Sequence, residues 1–84
     1  MYTSCHSVVS HYFPDHHVTT AQTRMGQFIL VDGAPFVLVS LGFVAFNDEF
    51  YRTHYKFYRA LMAYCARNLI HFVREDFKLY KIKF

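Results

Sequence analysis

Between residues 28 and 46 the chain carries one charge, Asp32, and from residue 34 to 46 it carries none. An apolar block of that length dominates the folding of a chain of only 84 residues. Two readings fit it. In the first, the block is a helix that starts near Asp32, which caps it from upstream, with Pro35 in the first turn where a missing N–H costs nothing. A membrane-spanning helix needs about 20 apolar residues, and a run of about 10 to 14 more often marks a buried core helix; residues 28–46 fall between these limits. Gly33 and Gly42 weaken a helix in water by about 1 kcal/mol each relative to alanine, yet small residues are common in membrane helices because they admit a close neighbour. In the second reading, residues 28–31 and 36–39 are the arms of a β-hairpin around Asp32-Gly33-Ala34-Pro35, because Asp-Gly tolerates the positive φ of a tight turn.

Downstream the pattern changes. Tyr51, Tyr55, Tyr58, Met62, Cys65, Leu69 and Phe72 recur at alternating steps of four and three, which places them on one stripe of a helix. Phe50, Phe57, Leu61 and Tyr64 widen the stripe, while Arg52, Lys56, Arg59 and Arg67 line the other side with Ala63 and Ala66 between them. Asn47, Asp48 and Glu49 supply an acidic N-terminal end that suits the helix dipole. The spacing predicts an amphipathic helix over residues 47–76, with Tyr51, Tyr55, Tyr58, Met62, Leu69 and Phe72 docking on a partner. Joined to the apolar block, it makes a rod of about 40 residues and about 60 Å at 1.5 Å per residue. The tail, residues 77–84, mixes Lys with aromatic and aliphatic residues and reads equally as a strand or a surface extension.

The first 26 residues form a polar, His-rich arm, mostly loop, with a short strand-like run at residues 7–13 cut off by Pro14-Asp15. No basic n-region or continuous apolar run announces a secretory signal. Cys5-His6, His11 and Asp15-His16-His17 are good transition-metal ligand types, but their spacings match no zinc pattern, and no metal is expected. Cys5 near a histidine has no oxyanion feature or orienting acid at a meaningful spacing, so no nucleophile is assigned. His54 and His71 read as packed or interfacial, and Cys65 as a small hydrophobe of the stripe. Asp48, Glu49, Glu75 and Asp76 read as helix-end charges rather than a catalytic acid pair. With no phosphate loop, GxGxxG or GxSxG, neither an enzyme nor a cofactor is expected.

Charge is lopsided. Eight Lys/Arg against Glu75 and Asp76 follow residue 50, whereas Arg24 alone faces Asp15, Asp32, Asp48 and Glu49 before it. The basic half is therefore the part suited to acidic lipid, RNA or an acidic protein face. Arg52, Lys56 and Arg59, interleaved with Tyr51, Tyr55 and Tyr58, suit anionic lipid at a membrane interface. They also suit stacking on single-stranded RNA, although no ribonucleoprotein signature accompanies them. Ten Phe and seven Tyr, within a hydrophobic fraction of 54%, exceed what a domain this small hides by itself, so some are expected to face lipid or a partner chain.

The stretch Gly42-Phe43-Val44-Ala45-Phe46-Asn47-Asp48-Glu49-Phe50, with Tyr58 beyond it, resembles the small single-span accessory subunits of mitochondrial respiratory complexes. The nearest of these is the subunit-nine type of ubiquinol–cytochrome c reductase. The resemblance covers residues 35–61, under a third of the chain, and departs from the family pattern in having no Trp. It implies a non-catalytic structural subunit of the mitochondrial inner membrane, without cofactor contacts, that stabilises its complex. The leading expectation is thus a mostly α chain in one domain over residues 1–84, in which a short transmembrane helix continues into a long basic–aromatic amphipathic helix behind an irregular arm. The alternative is a small α+β module, hairpin plus helix, that binds an acidic protein partner or RNA.

Overall fold

The computed structural model describes residues 2–75 and 77. Helix α1 (Tyr2–Tyr12) precedes four strands: β1 (Val18–Thr23), β2 (Gly26–Val31), β3 (Ala34–Ser40) and β4 (Phe43–Asn47). A 3-10 turn (Asp48–Phe50), helix α2 (Tyr55–Arg67) and strand β5 (His71–Glu75) follow. The strands form one sheet in sequence order, antiparallel from β1 to β4, with β5 returning parallel to β4 through α2.

The apolar block is therefore β2, β3 and β4, and the expectation of a transmembrane helix is overturned. No helix among the described residues is long and apolar enough to cross a membrane. Local geometry explains the outcome. Asp32 and Gly33 take φ of 51° and 83°, the paired left-handed conformations of a tight two-residue hairpin turn. Gly42, at φ 88°, turns β3 into β4. A helix from Asp32 onward cannot contain those conformations. The strands lack the usual apolar–polar alternation because both faces of the sheet are covered. On one face Ile29, Val31, Val37, Val39, Val44 and Phe46 pack under the two helices. On the other, Phe28, Leu30, Leu38 and Ala45 pack with Phe77, whose ring meets Phe28 edge-on at 5.3 Å.

Pro35 sits in β3 because the ladder slips there: Ile29 faces Val37 but Leu30 faces Pro35, leaving Phe36 as the extra residue of a bulge. The carbonyls the bulge frees are satisfied. Tyr58 donates its hydroxyl to Phe36 O at 3.3 Å, and Asn47 donates Nδ2 to Pro35 O at 3.1 Å. Asn47, buried to 3% exposure, also accepts from Glu49 N–H, which starts the 3-10 turn.

The arm expected to be irregular is largely ordered as α1 and β1, and the strand-like run at residues 7–13 lies mostly in the helix. Cys5, Val9 and Phe13, one helical stripe of spacing four, bury against the sheet, and Pro14 stops the helix. The helix expected over residues 47–76 is likewise shorter. Its stripe buries only Phe57, Tyr58, Leu61 and Cys65. It ends in a Schellman turn: Ile70 N–H bonds to Cys65 O at 2.9 Å and Leu69 N–H to Ala66 O, with Leu69 at φ 55°. That left-handed position is usually glycine, and its occupation by leucine hid the stop. The chain then turns into β5. The continuous rod does not form, and the architecture is that of the small α+β alternative. The tail, residues 77–84, lies outside the described residues apart from Phe77.

Both thiols are free and buried in the core beneath the helices. Burial, with the neighbouring Cys5 adding to it, pushes the Cys65 thiol from an ordinary 9.0 up to about 11. Cys5 is raised too, by burial that outweighs a hydrogen bond with Tyr64. Because the folded values lie above the unfolded ones, this contribution to stability is complete below pH 9 and is lost as pH rises toward 11. We expect Ellman's reagent near pH 8 to leave both thiols untouched in the native protein and to titrate both in guanidinium. Rapid native-state labelling would contradict their burial.

Candidate functional site

The six residues expected to meet a partner are dispersed by the fold. Tyr58 is wholly buried and anchors the β3 bulge. Tyr51 is half-buried, stacked on Phe46 and Tyr58 and covered by the Arg74 guanidinium at 4.6 Å. Arg74 is itself held by Asp48, with Nε 2.7 Å from the carboxylate. Met62 packs half-buried against the core. Leu69 is exposed on the turn after α2, and Phe72 is 38% exposed on the edge strand β5. Tyr55 alone of the six combines wide exposure with a position on α2.

The His/Cys-rich arm is also dispersed. Cys5 is in the core, and His6 is bonded to Ser10 on its own helix. His16 Nδ1 lies 2.6 Å from Asp32, whose other oxygen accepts from His17 N–H at 3.0 Å. These bonds hold the Asp32 carboxyl below its ordinary value, the His16 side chain contributing most. Their structural effect is to pin the β2–β3 turn to the loop after α1. His54 sits among the rings of Phe13, Phe36 and Phe50, and its burial there lowers its pKa. Among the described residues, no group of three or more His, Cys, Asp or Glu could hold a metal ion.

What the fold does assemble is a groove between α1 and α2. Both helices bury one stripe in the sheet, and their flanks meet above it. Ser7, Val8, His11 and Tyr12 from α1 face Ala60, Ala63, Tyr64 and Arg67 from α2 across an open trough of about 440 Å³. It continues past Tyr12 to Tyr55, Lys56 and Arg59, and beyond them to Arg52. On α2 the sequence behind this is Lys56, Ala60, Ala63 and Arg67, at spacings of four, three and four, which set one face of the helix. Two alanines make a shallow floor with a cation at each end. Lys56 and Arg67, eleven positions apart, stand about 16 Å from each other along the helix axis at 1.5 Å per residue.

The groove is electrically one-sided. No residue lining it is acidic. Arg52, Lys56, Arg59 and Arg67 form no ion pair among the described residues; Arg59 instead lies 5.6 Å from the Tyr55 ring centroid. The paired acids are elsewhere, Asp48 with Arg74 and Asp32 with His16. The sequence shows Arg52, Lys56, Arg59 and Arg67 as one basic side of a helix but not the opposite wall, where His11 stands out only as a metal-ligand type and Tyr12 only within the run at residues 7–13. Only the docking of α1 beside α2 brings that wall into place. Comparison of the chain with protein-family models, with curated proteins and with solved structures returns no match.

Proposed function

We propose that the chain is a non-catalytic interaction module that receives an acidic segment of a protein partner along the α1–α2 groove. The observation that carries this reading is the set of uncompensated cations, Lys56, Arg59 and Arg67, around a floor of Ala60 and Ala63. A small-residue floor admits apolar side chains, and charged ends select a partner with carboxylates at matching separation, so charge sets orientation while the floor supplies contact area. A helix laid in the trough meets these terms when acids some eleven residues apart flank alanine or leucine, the helix-in-groove mode of recognition.

An acidic protein suits this surface better than RNA does. Base stacking needs accessible ring faces in succession. Here Tyr51 is already covered by Arg74, and Tyr58 is buried. The exposed Tyr55 has Arg59 over its ring. The cations also flank an apolar floor rather than following one continuous path of phosphates.

The test is fluorescence anisotropy with a labelled amphipathic peptide bearing glutamates at both ends of an Ala/Leu face, beside a glutamine-substituted control. Binding of the acidic peptide alone, weakening as salt rises, is expected. Lys56→Glu/Arg59→Glu/Arg67→Glu should reduce the affinity by more than about tenfold, equivalent to 1.4 kcal/mol. These side chains lie in an open groove, so the variant should keep its melting temperature within a few degrees. Equal binding of both peptides would remove the electrostatic basis of the proposal. Tighter binding of a single-stranded RNA oligonucleotide, or of phosphatidylserine vesicles through Arg52, Lys56 and Arg59, would replace the protein partner by that ligand.

A further inference from the structure

The sheet has two edges, and they differ. β5 carries Arg74 and Glu75, charges of the kind that discourage strand pairing. β1 reads Val18-Thr-Thr-Ala-Gln-Thr23, with no charge, no proline and no irregularity in its register with β2. Its β-branched residues favour extended backbone. Among the described residues β1 pairs with β2 alone.

The orientation of its free backbone groups follows from one hydrogen bond. Asp32 N–H donates to His17 O at 2.8 Å, in the register that continues the β1–β2 ladder. In an antiparallel pair, bonded and non-bonded positions alternate. Thr19, Ala21 and Thr23 therefore bond to β2, and Val18, Thr20 and Gln22 turn their N–H and C=O groups away from it. Thr20 and Gln22 are exposed.

We infer that β1 is a self-association edge, where a second copy of this chain adds antiparallel to make a continuous sheet across a two-fold axis at Thr20. Three features select a second copy. The outward-bonding positions are symmetric about Thr20, so Val18 meets Gln22, Thr20 meets Thr20, and Thr19 lies opposite Ala21. That register is isologous and sets no like charges in opposition within the strand. Threonine–threonine and threonine–alanine neighbours are favourable or neutral there. Finally, the register carries Arg24, at one end of β1, alongside the turn that contains Asp15 in the other copy. Neither Arg24 nor Asp15 has an ion pair within its own chain among the described residues. The two-fold forms this pair twice.

The edge shares no residue with the α1–α2 groove, and the inference does not depend on the groove's function. Sedimentation velocity of the full chain, from low micromolar to millimolar concentration, tests it. A species of twice the 10.0 kDa chain mass is expected to grow in with concentration. Thr20→Pro removes an outward N–H without taking one from β2, a substitution edge strands accept. It should leave a monomer whose circular dichroism is native. Because a proline variant can misfold, the charge pair gives a second route: Arg24→Glu should weaken the dimer by about tenfold or more, and Arg24→Glu/Asp15→Arg should restore it. A wild-type chain that stays monomeric throughout, or a dimer indifferent to both Thr20→Pro and Arg24→Glu, overturns the inference.

Discussion

Replacing Gly26 with alanine is expected to unfold the protein or leave it only marginally stable. Gly26 opens β2 with φ at 138°, a conformation that L side chains rarely adopt. A methyl group there meets the Val39 carbonyl oxygen at 2.4 Å and the Ser40 Cα and Cβ at 3.1 Å. The first contact is with backbone at the end of β3, directly beside the start of β2, so no rotamer change relieves it. Backbone strain of this kind costs about 1–3 kcal/mol by itself, and the clash must be cleared by moving one of two paired strands. Domains of this length are stable by about 4–13 kcal/mol, taking 0.05–0.15 kcal/mol per residue. The contrast is Gly33, where an added Cβ meets nothing within 4 Å and only the φ of 83° is at stake. Gly33→Asn should therefore cost much less than Gly26→Ala, since asparagine accepts left-handed φ. Urea denaturation of both variants checks the order. Equal losses would mean that the approach to Val39 is not the limiting contact.

The second large effect is expected at Phe46. Its ring is wholly buried on β4, with Tyr58 at 4.8 Å, Tyr51 stacked at 6.2 Å and Phe72 at 6.3 Å. These three rings come from the residue after the 3-10 turn, from α2 and from the neighbouring strand β5. Phe46→Ala should cost about 3–5 kcal/mol, the range for removing a buried aromatic ring, because the surrounding rings are too rigid to fill the space. Phe46→Leu should cost less. Leu41→Lys serves as the control. A membrane span would resist a lysine at that place, but Leu41 is 87% exposed on the β3–β4 turn, so the substitution should change stability by less than about 0.5 kcal/mol. Chemical denaturation monitored by tyrosine fluorescence gives all three values. A small loss at Phe46 would show that the core can repack around the missing ring.

These residues also show what reading along the chain could and could not reach. The helix and hairpin readings of residues 27–46 differ in the turn at Asp32-Gly33, and the turn is what forms. Apolar periodicity could not choose between them, because packing on both faces removes the alternation that identifies a strand. Lys56, Arg59 and Arg67 were visible as a basic side of α2. Their assembly with Tyr12 and His11 into a groove was not, because that contact joins helices separated by four strands.

By itself, the sequence carried the short-range signals: the Asp32-Gly33 turn as one of two readings, the break at Pro14-Asp15, part of the apolar stripe of α2 and the basic flank beside it. Tertiary structure decided the rest. It ended α2 at a left-handed leucine, turned residues 71–75 into a strand parallel to β4, and placed the bulge at Phe36 where Tyr58 and Asn47 satisfy its carbonyls. An unfavourable local conformation such as the β3 bulge persists when burial and hydrogen bonds elsewhere outweigh its cost, and its partners Tyr58 and Asn47 are distant in the chain.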